Sequence, residues 1–123
     1  MIAFEIEING NKLCTAGIDA KYGILTTILS WAKRDVSQLS EESKAKVPAE
    51  ELKLTVGGHI SYSKDDYENV QWSGRELKPG DQIKIKIIET NEADEPKTKK
   101  RSDPKFVELK KRKYFEQLKK EYK

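Results

Sequence analysis

Cysteine is almost missing from this 123-residue sequence. Cys14 stands alone, so no disulfide within the chain can staple the fold. Histidine is equally scarce, and a single imidazole, His59, rules out a two-histidine metal site. No run approaches the ~18 apolar residues that a membrane-spanning helix needs. The opening residues Met1-Ile2-Ala3-Phe4-Glu5 carry no basic segment leading into an apolar one, so the expectation is a cytoplasmic protein without a secretory signal. The phosphate-cradling glycine patterns are lacking too, since Gly57-Gly58 is followed by neither Lys nor Ser/Thr. Asp65, Asp66 and Glu68 supply oxygens in one short stretch, but without the glycine and the closing glutamate of a calcium loop. No activated nucleophile is recognisable beside a base. The composition therefore predicts no enzyme, no metal and no cofactor.

What is present is charge, unevenly placed. Charged residues make up 37% of the chain and apolar ones 36%. Residues 1–90 hold 12 basic and 14 acidic groups, whereas residues 91–123 hold 12 basic and 7 acidic ones. The stretch from Asn91 to Ser102 offers little but Ala93 to bury, too little to offset the entropy of ordering it. The predicted organisation is a folded domain over 1–90, a polar linker over 91–102 and a basic amphipathic helical tail over 103–123. About ninety residues are enough for one modest core.

Inside the domain, periodicity assigns the elements. Ile2, Phe4, Ile6 and Ile8 alternate with Ala3, Glu5 and Glu7, which describes a strand with one apolar face. Asn9-Gly10 then predicts a two-residue hairpin turn into a second strand over 11–16. Ile24, Leu25, Ile28, Leu29, Trp31 and Ala32 recur at spacings of three and four, which predicts a helix over 21–34 with Ile24, Ile28 and Trp31 against a sheet. Residues 37–50 read as a long connection. Strands resume at Leu52, Leu54 and Val56, with a bend or bulge at Gly57-Gly58. Pro79-Gly80 marks a turn into a last strand that points Ile83, Ile85 and Ile87 inward and Lys84 and Lys86 outward.

Hairpin, helix and late strand, with Leu77-Lys78-Pro79-Gly80-Asp81 before the final strand, resemble the β-grasp (ubiquitin-like) fold. The segments Phe4-Glu5-Ile6, Asn9-Gly10 and Ile87-Ile88-Glu89 also resemble a group of short uncharacterised bacterial proteins with no known activity. The resemblance implies an α+β architecture: a mixed sheet with one packed helix, here extended by a C-terminal basic helix. It implies no activity, because such folds host many.

Two groups of residues are candidates for binding. Tyr62, Tyr67 and Trp72, with Arg75 beside them, have the composition of a protein-binding hot spot if exposed. The competing reading places Trp72 in the core of a domain with few large side chains. Lys99, Lys100 and Arg101, with the block Lys110, Lys111, Arg112 and Lys113, could bind a polyanion such as nucleic acid. Cys14 reads as a buried space-filler and His59 as non-catalytic. The expected function is thus a non-enzymatic macromolecule-binding module, an adaptor or inhibitor. A nucleic-acid-associated protein acting through its basic tail is the alternative.

Overall fold

The computed structural model describes residues 1–102, and most of that span is strand. β1 (Ile2–Ile8) and β2 (Asn11–Gly17) form the hairpin that the alternation predicts. At its tip Asn9 and Gly10 take φ angles of 53° and 81°, the left-handed pair such a turn requires. Then follow β3 (Tyr22–Lys33), α1 (Glu41–Lys46), β4 (Glu50–Ser63), β5 (Asp66–Glu76), β6 (Ile83–Glu89) and β7 (Thr98–Arg101). They make two sheets, ordered β2-β1-β6 and β3-β4-β5-β7.

This corrects the expected fold class. The segment predicted as a helix is the 12-residue strand β3, paired antiparallel with β4 along its whole length. Its β-branched and aromatic residues (Tyr22, Ile24, Thr26, Thr27, Ile28, Trp31) suit a strand better than a helix, and Gly23 weakens a helix further. The spacing misleads because β3 is apolar on both faces, so Ile24-Leu25 and Ile28-Leu29 mimic a helical stripe. Ile24, Ile28 and Trp31, expected against a sheet, are exposed. Nor is the sheet mixed: every strand pairing is antiparallel. The one helix among the described residues, α1, falls in the predicted connection and buries no residue. A β-grasp-like α+β fold with a packed helix is therefore replaced by a two-sheet β architecture. The predicted tail helix over 103–123 lies outside the described residues.

The core sits between the sheets, as two amphipathic sheets require. Ile6 and Ile8 from β1 and Cys14 and Ala16 from β2 meet Leu54 and Val56 from β4 and Val70 and Trp72 from β5. β4 carries Gly57-Gly58 through the sheet at a bulge in its ladder with β5. A Cβ on Gly57 would come within 2.8 Å of the Val70 carbonyl oxygen, and one on Gly58 within 2.7 Å of that of Ile24. Only glycine permits so close an approach.

Residues 91–102, read as a polar linker, are tied to the domain instead. The Asp94 amide donates to the Thr15 carbonyl at 2.9 Å, and the Asp94 carboxylate accepts from the Thr15 amide at 2.8 Å. The Lys97 amide donates to the Gln71 carbonyl, and β7 pairs with β5. Backbone hydrogen bonds, rather than apolar burial, hold this segment, which composition alone does not reveal. Among the described residues no helix is long and apolar enough to cross a membrane.

Candidate functional site

Of the four residues predicted to form a partner-binding patch, Tyr62 and Trp72 line one cavity of about 510 Å³, whereas Tyr67 and Arg75 do not join them there. Trp72 is buried in the core, and its Nε1 donates to the Asp94 carbonyl at 2.7 Å. Tyr62 is exposed and lies beneath the Arg101 guanidinium, whose carbon is 3.9 Å from the ring centre. Tyr67 stacks on His59 with ring centres 5.0 Å apart. Arg75 is exposed near the other end of β5, opposite Leu54 rather than Ser61. Eight residues along a strand separate Tyr67 from Arg75 by ~26 Å.

The basic candidates divide as well. Arg101 grips Asp66 with two nitrogens, each 2.8 Å from a carboxylate oxygen, and this holds the Asp66 carboxyl below its ordinary range. That pairing contributes above the ordinary aspartate pKa and fades as pH falls through the lower folded value. Lys99 pairs with Glu95 at 3.2 Å. Lys99 and Arg101 register with Val70 and Glu68, whereas Lys100 registers with Asn69 and so points to the opposite face. Lys110, Lys111, Arg112 and Lys113 lie outside the described residues.

The residues of possible chemistry are placed quietly. His59 Nδ1 is 2.9 Å from the Asn69 side-chain oxygen on the outer face of the second sheet. Among the described residues no three His, Cys, Asp or Glu side chains converge as metal ligands. Cys14 is buried in β2, and burial first, then the nearby Asp94 charge, pushes its thiol pKa up. Its reaction with a thiol reagent should therefore be slow in the native protein and become fast only on denaturation. Prompt stoichiometric labelling near neutral pH would contradict this.

The sandwich itself supplies a better candidate, because its two sides are finished differently. β2 lies against β5, and the segment after β6 runs along that side, where Ala93 and Pro96 wall the cavity of about 510 Å³ with Tyr62, Val70 and Trp72. Asp94 covers the β2 edge, Trp72 is tied to it, and β7 covers the β5 edge. β6 and β3 each end their sheet at the edge away from β2 and β5. Nothing among the described residues covers them.

The inner faces are apolar there. Ile83, Ile85 and Ile87 register with Ile8, Ile6 and Phe4 and so share their face of the sheet, but of this set, expected inward, Ile85 and Ile87 are exposed. Leu25, Leu29 and Trp31 register with Gly58, Leu54 and Leu52 and point inward from the second sheet. Yet Leu29 is 64% exposed, Trp31 61% and Ile87 70%. A groove of about 240 Å³ lies between Phe4 and Leu25, lined also by Ile2, Ile18 and Lys21. Sequence reading missed this site because inward alternation does not say whether an opposite wall exists. The available signal was the unbroken apolar character of β3 on both faces. Compared with known proteins, the chain matches no family, no curated protein and no solved structure.

Proposed function

We propose that this chain is a non-enzymatic binding module that takes a protein partner on its open β3–β6 side. The observation that carries the reading is the contrast between the two sides. Among the described residues, Asp94 and β7 cover one pair of sheet edges, and no strand pairs with the other pair, where Leu29, Trp31, Ile85 and Ile87 are exposed. Large apolar side chains exposed on edge strands mark interaction sites, and unpaired edges favour pairing with another chain. A cytoplasmic setting fits the unpaired thiol of Cys14.

The alternative, a nucleic-acid binder, draws less from the described residues. Among the described residues, Arg101 and Lys99 are already engaged by Asp66 and Glu95. The test is affinity capture from the source cell with wild type, a Leu29→Ser/Trp31→Ser variant and a Lys100→Ala control. A partner retained by wild type and control but lost from the double variant is expected. Equal retention by the double variant, with its melting transition unchanged, would overturn the assignment.

A further inference from the structure

We propose that the partner adds an extended strand to β6, and that this strand alternates apolar residues with carboxylates. The inference rests on the open side being the docking surface. β6 has one strand neighbour among the described residues, β1, so its other edge presents free backbone donors and acceptors. A strand added there would project alternate side chains to the two faces of the sheet.

On the inner face it meets Ile85 and Ile87, which are 48% and 70% exposed. Apolar residues are required at those positions. On the outer face it meets Lys84 and Lys86, and neither lysine forms an ion pair among the described residues. Charge already alternates across that face: Lys12, Glu7 and Lys84 stand in one row, and Glu5 and Lys86 in the next. A carboxylate is the sign that continues each row, since opposite charges directly across a strand pair stabilise it and like charges destabilise it. The same rule selects against a second copy of the chain, whose β6 would set lysine against lysine.

The test uses the full chain and three labelled peptides of about nine residues, long enough to span β6. One alternates valine with glutamate, one alternates valine with lysine, and one scrambles the first. Fluorescence anisotropy should show the glutamate peptide binding at least tenfold more tightly than the other two. The preference should invert in Lys84→Glu/Lys86→Glu, and bound peptide should slow amide exchange in Ile83–Glu89. Binding that ignores peptide charge but is abolished by Ile87→Ser would overturn the acidic strand while leaving the open side as the docking surface. Binding indifferent to Ile87→Ser would overturn both. Absence of binding, or self-association abolished by Ile87→Ser, would replace the acidic strand with another occupant.

Discussion

Trp72→Ala should lower the free energy of unfolding by about 3–5 kcal/mol, the range of large aromatic truncations in cores. Trp72 is buried between the sheets with Val70, Leu54 and Val56 in the same cluster. Its loss removes apolar contact and leaves a void that a β-sandwich, fixed by its ladders, fills poorly. It also removes the hydrogen bond from Nε1 to the Asp94 carbonyl, which ties the sealing segment to the core. Trp72→Phe keeps most of the ring but loses the donor, so it should cost less, about 1–3 kcal/mol. Urea melts followed by far-ultraviolet circular dichroism measure both. A loss below about 1 kcal/mol for Trp72→Ala would mean that the indole packs at the surface. Tyr67→Ala removes only a half-buried ring stacked on His59 and should cost clearly less.

How far the sequence reveals this fold depends on what each residue pattern encodes. The β1–β2 hairpin was legible because alternation and Asn9-Gly10 are local signals that point to the same answer. The strand β6 and the shared face of Ile83, Ile85 and Ile87 were legible for the same reason, though not the exposure of Ile85 and Ile87, and so was the turn at Pro79-Gly80, where Gly80 has φ 95°. β3 was not. Its pattern satisfies two periods, and the deciding information lies in β4, whose Leu54 and Val56 accept it as a neighbour. The sealing segment was illegible for a different reason: hydrogen bonds to Thr15 and Gln71 leave no mark in composition. The candidate site inherits both failures. Tyr62, Tyr67 and Trp72 are close in sequence, but a strand sends neighbours to opposite faces, and one of them is core. The open edges carry residues more than fifty positions apart, Leu29 and Ile85, whose places on strands that end their sheets only the sheet orders reveal.

A chain ending at Glu92 should be destabilised by about 3 kcal/mol or more, whereas one ending at Ser102 should melt close to the full-length protein. Composition alone predicts that everything after Glu92 is dispensable, because there is so little in it to bury. The structure gives the opposite weighting. Ending at Glu92 removes Asp94, and with it both hydrogen bonds that cover Thr15 on the β2 edge and the acceptor of the Trp72 indole. It also removes β7, which pairs with β5 from Glu68 to Gln71. Each lost hydrogen bond contributes roughly 1 kcal/mol, and a buried donor such as Trp72 Nε1 left unpaired costs a further ~1–3 kcal/mol. For a domain of this size, 3 kcal/mol corresponds to a fall of about 12–24 °C in melting temperature. The chain ending at Ser102 keeps every one of these contacts, including the Ser102 amide bonded to the Tyr67 carbonyl. Calorimetry on the three lengths separates the cases. If the Glu92 chain melts with the full-length protein, the sealing segment is an ornament on an independently stable sandwich, and the contrast between closed and open sides loses its force. If the Ser102 chain is unfolded, residues 103–123 belong to the core.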